Sequence, residues 1–266
     1  VEGDFSGQFV AFAHYQAERL GAGEIPLWNP YNLGGHPFLA DTQAAVFYPF
    51  RLLTVATVNL SGGPTPGRMY DALQREMALH SLIASLLMYA LLRRLTLGKV
   101  YSSAAGLVGG MIFAYGGYMT GYPPLQLAVM EAGVWSPLAL LGILEATRLA
   151  RARYLWFFVS GAALALSLLA GHPQTSLFLI YIALAWLAWR TYTMHRPALV
   201  FALGAGIFLA IGGGVAAVQL LPGWEYLQLT TRDVLSFAAK GNGFPIYDVL
   251  QVVFPGLFSQ WSPMYF

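Results

Sequence analysis

Residues 77–95 read MALHSLIASLLMYALLRRL, and the reading of this stretch decides the fold. Between Met77 and Leu92 the only readily charged side chain is His80, and the run ends on Arg93 and Arg94. A helix needs about 20 mostly apolar residues to cross a bilayer core. The stretch therefore reads as a membrane span whose basic end meets one surface.

The rest of the chain agrees. Of its 266 residues 57% are hydrophobic and only 10% charged. Soluble domains carry about 25% charged residues, so this chain cannot cover itself in water. Five more apolar stretches follow, near 100–119, 125–146, 154–170, 174–190 and 199–221. The expected fold is an all-α polytopic membrane protein with about six transmembrane helices. Gly106, Gly109 and Gly110, then Gly204, Gly206, Gly212, Gly213 and Gly214, fall inside these spans. Small residues let membrane helices approach closely, so the glycines read as packing.

Short basic loops set the orientation. Arg93, Arg94 and Lys99, then Arg148, Arg151 and Arg153, then Arg190 and Arg196 fall in alternate connections. They share one side, expected to be cytoplasmic at a bacterial inner membrane. The other side receives residues 1–76, the turns near 120–126 and 171–174, and the tail from 223. Most acidic groups lie there too: Asp4, Asp41, Asp71, Glu225, Asp233 and Asp248, with Glu76 at the mouth of the first span. The expected organisation is a long outer loop (1–76) with juxtamembrane helices, a transmembrane bundle (77–222) and a second outer loop (223–266). No signal peptide is visible, and the chain is expected to be truncated at both ends.

The formal charge of +2 and the lack of a basic stripe among aromatics argue against nucleic acid. No cysteine is present, which removes disulfides and thiolate metal sites. No nucleophile elbow, phosphate-cradling glycine loop or HExxH occurs.

The outer loop carries the polar detail. GDFSGQFVAFAHYQAERLGAG (3–23) places Phe5, Phe9 and Phe12 at helical spacing, with Asp4, Gln8, Ala11 and Tyr15 on another face. LWNPYNLGGHPFLADTQAAVFYP (27–49) is punctuated by Pro and Gly and reads as a shaped loop. TQAAVFYPFRLLTVATVNL (42–60), interrupted by Pro49, reads as a re-entrant or interfacial helix. SGGPTPG (61–67) is a turn-forming linker.

Asp4 and Asp41 each have two readings. Either carboxylate serves as general base or metal ligand, or it caps the helix that follows. His36 and His172 stand in two Gly-His-Pro turns, both on the outer side, and would converge with the aspartates if the loop folds over the bundle. Otherwise each is a turn residue bonded to backbone. His80 lies four residues from Glu76, on one helical face, and reads as its partner. Glu131 is an ionisable group inside a span, which demands a cavity or a partner. His14 and His195 read as interface residues.

The order of these features resembles one family. GDFSGQF, GEIPLWNPYNLGGHPFLADTQAAVFYPF, WSPLALL (135–141), GHPQTSLF (171–178) and FPGLFSQWSPMYF (254–266) are similar to the YfhO-like bacterial membrane proteins. These belong to the GT-C glycosyltransferase superfamily, whose donors are polyprenyl-phosphate sugars. The resemblance implies a transferase moving a sugar to a glycan, lipid or protein acceptor on the outer side. It implies Asp4 as base or metal ligand and Asp41 as second carboxylate, with Mg or Mn as the divalent cation if one is used. Gln8, His36, Gln43, Arg51, His172 and Gln174 would contact substrate. Arg51, Arg68, Arg75 and His172 would offset charge on the leaving phosphate. The competing reading is a non-catalytic membrane subunit or scaffold keeping the same fold. A transporter, with paired ionisable groups at the midplane, ranks third.

Overall fold

A computed structural model of the chain describes residues 3–32, 34–121, 124–148 and 153–230. Arg151, Asp233, Asp248 and the 254–266 motif lie outside the described residues. Every regular element among the described residues is a helix, and the one β-type pairing is an isolated bridge between Asn29 and His36. Residues through Tyr226 form one compact unit; of a second unit, Leu227–Phe266, the structure describes the last turn of one helix and the bend to Thr230.

The chain enters through a π-helical turn, Phe5–Phe9, that runs on into α1 (Val10–Gly21). Phe5 and Phe9 are buried against Val55, Met69 and Leu73, which fixes this helix against the two that follow. Phe12 joins a separate cluster with Tyr15, Phe38, Ala44 and Val46 from the shaped loop. That loop is held at its waist by paired backbone bonds, Asn29 N–H to His36 O and His36 N–H to Asn29 O, both 2.9 Å. Gly35 sits in the left-handed region (φ 108°) with the Trp28 ring 2.7 Å from where a Cβ would stand, so no other residue fits there.

α2 (Pro49–Leu60) corrects one expectation. Pro49 does not interrupt a helix; it begins one, at the first helical position where its missing N–H costs nothing. α3 (Pro66–Leu95) is longer than the apolar stretch alone. It starts eleven residues before 77, with Pro66 in its first turn and the Thr65 hydroxyl accepting from Arg68 N–H at 3.3 Å. Residues 66–76 form the first turns of this 30-residue helix.

The remaining helices are α4 (Ser102–Tyr115), α5 (Gly117–Thr120), α6 (Leu127–Gly133), α7 (Ser136–Arg148), α8 (Arg153–Leu169), α9 (Pro173–Thr193) and α10 (Ala198–Gln228). Among the described residues, three helical stretches are long and apolar enough to cross a membrane: Pro66–Leu95, Leu127–Arg148 through α6 and α7, and Ala198–Gln228. Six were expected. At 14 residues α4 falls short of the usual span length, and α8, at 17, stands at its lower edge.

Close packing explains part of the glycine pattern. Gly110 lies against the backbone of α3, where a Cβ would meet the Ser85 carbonyl at 2.7 Å, and Gly106 lies against Tyr89. Gly204 and Gly212 of α10 admit Phe157 and Leu164 of α8. Gly206, Gly213 and Gly214 meet nothing, so packing does not account for them.

One end of the helices gathers the basic loops. The buried Glu145 takes two bonds from Arg94, at 2.8 and 2.7 Å. Arg148 donates to Arg94 O, and Arg190 and Arg196 donate to the side chain and carbonyl of Thr147. Residues from three connections therefore share one end, as their alternation required.

Candidate functional site

The opposite end is organised by the shaped loop. A groove of about 800 Å³ runs between this loop and α1. Asp4, Gln8, Ala11 and Tyr15 line it from the helix side, at spacings that keep them on one face. Asn29, Tyr31, Asn32 and Asp41 line it from the loop side. Both aspartates singled out from the sequence thus face one groove.

Their surroundings differ. Asp4 occupies the cap position of the first turn, yet its side chain makes no capping bond. It is exposed, and one carboxylate oxygen accepts from the Gln126 amide just before α6. Asp41 is a true cap: it accepts from Gln43 N–H at 3.0 Å and starts the short 3₁₀ turn Thr42–Ala44. Burial pushes its carboxyl up, against the opposing pull of the Gln43 N–H and of His36. A carboxyl displaced toward neutrality is better suited to exchanging protons at working pH.

His36 backs Asp41 rather than lining the groove. Its Nε2 is 3.7 Å from Asp41 Oδ2, beyond hydrogen-bond length, and both ring nitrogens are buried without a bonded partner among the described residues. Gln43 is tied to Gln8 across the groove edge at 2.6 Å.

The second Gly-His-Pro turn packs against the same loop. At Gly171 (φ 94°) a Cβ would fall 2.2 Å from Thr42 O, so only glycine allows the approach. Gln219 of α10 donates to that carbonyl at 2.7 Å. His172, however, is spent on structure. Its Nδ1 accepts from Thr175 N–H at 3.2 Å and bonds Thr175 Oγ1 at 2.7 Å, capping α9. Burial lowers its affinity for a proton, which suits an accepting, neutral ring. Gln174 is exposed in the first turn of α9. Neither residue lines the groove.

Arg51 is also elsewhere. It is fully buried between α3 and α6, with Nε 3.3 Å from both Glu76 oxygens and Nη2 3.2 and 3.3 Å from the Glu131 oxygens. This supplies the partner that Glu131 demanded. Beside it, Trp135 Nε1–H donates to Tyr48 Oη at 3.1 Å, and Tyr48 lies 2.5 Å from His80 Nε2. His80 Nδ1 meets the Glu76 carbonyl at 2.7 Å. An indole can only donate and a carbonyl only accept. Trp135 Nε1–H and His80 Nδ1–H therefore both donate, to Tyr48 Oη and to the Glu76 carbonyl, and Tyr48 and His80 Nε2 share the bond between them. His80 thus bonds the Glu76 main chain, not its carboxylate. Burial, reinforced by Glu131 and Glu76, holds the Tyr48 hydroxyl protonated.

Arg68 and Arg75 lie in a second groove, of about 410 Å³, between α2 and α3. They are not placed to face a ligand held between Asp4 and Asp41. Among the described residues no three His, Asp or Glu side chains gather as a metal site.

Sequence reasoning overlooked Gln126 as the partner of Asp4, Tyr31 and Asn32 as groove walls, and Gln219 as a clasp on Thr42. A lone amide in an apolar helix was the available signal for Gln219. Comparison with known proteins adds no further constraint: no family model, no curated protein and no solved structure matches this chain.

Proposed function

We propose that the chain is the membrane-embedded part of a glycosyltransferase that moves a sugar from a polyprenyl-phosphate donor to an acceptor hydroxyl in the α1 groove. The carrying observation is the convergence of Asp4 and Asp41 on one groove of about 800 Å³, large enough for a sugar and its phosphate. The order of residues from Asp4 to Pro49, similar to the YfhO-like proteins, supports the same reading.

In this reading Asp4 is the base. Its exposed carboxylate takes the proton of the acceptor hydroxyl while that oxygen attacks the anomeric carbon. The bond from carbon to phosphate oxygen breaks, its electron pair leaves with the polyprenyl phosphate, and the centre inverts, as with a base opposite the leaving group in inverting hydrolysis. Asp41 holds the sugar through its hydroxyls, since one of its oxygens is already committed to Gln43 N–H. Asn32, Tyr31 and His14, all on the groove, are the groups available to the departing phosphate. Six spans with the groove on the outer face of a bacterial inner membrane remain part of this proposal.

The scaffold reading draws on Asp41's capping bond and on Asp4's bond to Gln126. Substitution of Ala11, exposed on the groove face of α1, separates the two. Ala11→Trp places an indole in the groove and leaves both aspartates in the sequence. A transferase loses turnover of polyprenyl-phosphate sugar in this variant while keeping its melting temperature; turnover equal to the parent protein contradicts the groove as the site.

A further inference from the structure

The second groove is independent of Asp4 and Asp41. Its α3 wall carries Arg68, Ala72, Arg75 and Leu79, and its α2 wall carries Thr54, Thr57 and Ser61 among Leu53 and Val58. On α3 the positions 68, 72, 75, 79, 82 and 86 alternate by four and three, which keeps them on one stripe. The stripe changes character along its length. Arg68 and Arg75 are exposed at its start; Leu79, Leu82 and Leu86 are exposed as it continues into the stretch apolar enough to span a membrane.

The two guanidiniums have no carboxylate partner among the described residues. Arg68 Nη1 donates to the carbonyls of Gly62 and Gly63, at 2.9 and 3.1 Å, and Arg75 Nε donates to Asp71 O at 3.2 Å. These bonds to main chain aim the side chains and leave further N–H donors on each. The one carboxylate lining the groove, Glu76, is committed to Arg51. The groove thus offers planar donors and hydroxyls at one end and bare leucine at the other.

We propose that this α2–α3 groove binds a membrane phospholipid with an anionic headgroup, its phosphate between Arg68 and Arg75 and an acyl chain along Leu79, Leu82 and Leu86. Guanidinium forks match phosphate oxygens in geometry as well as charge. Basic side chains just outside a span gain from anionic lipid, and the leucine stripe continues from them in the direction a chain must run. The proposal does not depend on the transferase reading.

The test uses the full chain purified in a neutral detergent and exchanged into nanodiscs of phosphatidylcholine with or without phosphatidylglycerol, read by native mass spectrometry after release. The parent protein retains phosphatidylglycerol adducts selectively over phosphatidylcholine, and R68Q with R75Q reduces them at least fivefold. R68K with R75K restores part of the binding, and helix content by circular dichroism is unchanged in all variants, because both side chains are exposed. Adducts equal in the parent and glutamine variants overturn the proposal, as does equal retention of the two lipids. Millimolar inorganic phosphate leaves the adducts in place if the acyl stripe contributes; full displacement by phosphate reduces the site to one for a free anion and overturns the lipid assignment.

Discussion

Arg51 is the residue on which the interior turns. One guanidinium stands between two buried carboxyl groups, Glu76 and Glu131, and its single positive charge balances only one carboxylate. Removing the cation leaves the buried Glu76 carboxylate without compensation, a loss of about 3–5 kcal/mol for a broken buried pair. Removing Glu131 alone leaves a matched pair of Arg51 and Glu76. Arg51→Met should therefore lower the melting temperature sharply in any one detergent, while Glu131→Gln shifts it little. Equal losses from both substitutions contradict this account of the cluster.

Asp41 gives a pH test. Because burial raises its carboxyl, the folded chain holds that proton more tightly than the unfolded chain. The contribution of the group is full below its unfolded value and is lost as pH rises through the folded value. Asp41→Asn keeps the oxygen that accepts Gln43 N–H and removes the buried charge. Its melting temperature should match the parent protein in acid and exceed it at neutral pH and above. Asp41→Ala instead loses the cap, about 1 kcal/mol. A gain for Asp41→Asn that shrinks as pH rises contradicts the assignment.

Among the elements, α4 and α10 show two uses of glycine. Gly110 is pressed against the α3 backbone, so a single methyl has nowhere to go. Gly110→Ala should cost about 1–3 kcal/mol by overpacking, whereas Gly213→Ala, facing open space, should be neutral or gain up to about 1 kcal/mol in helix propensity. Melting temperatures of the two variants in one detergent decide this; a larger loss for Gly213→Ala would contradict the packing. Both glycines look alike in the sequence. Composition and apolar runs were enough to read helices over 154–170, 174–190 and 199–221, because burial and helix length leave a periodic or continuous trace. The start of α3 was hidden because Arg68, Asp71, Arg75 and Glu76 make its first turns polar. The same polarity concealed that Arg51 and Glu76 meet inside. Pro49 was misread because proline at the first helical position and proline in mid-helix are the same letter.

At the scale of the whole molecule, charge gathers at two places besides the Arg51 cluster and the Arg68–Arg75 groove. Arginines from several connections gather around Glu145 and Thr147 at one end, and Asp4 and Asp41 share a groove beside the shaped loop. The loop's form was legible from its Pro and Gly, and the shared helical face of Asp4, Gln8, Ala11 and Tyr15 from spacing alone. The convergence of the two aspartates was legible only on the condition that the loop folds over the helices, which rests on the Asn29–His36 pairing and on Gly171 and Gln219 pinning Thr42. Such contacts join residues far apart in the chain and leave no periodic mark.

Sugar transfer from a panel of polyprenyl-phosphate sugars, by the purified protein beside Asp4→Asn and Asp41→Asn, tests the central claim most directly. The account predicts turnover that falls by a factor of 100 or more in Asp4→Asn, as for loss of a general base (about 10²–10⁴), with helix content unchanged and a smaller loss in Asp41→Asn. Turnover unaltered in both variants would contradict it.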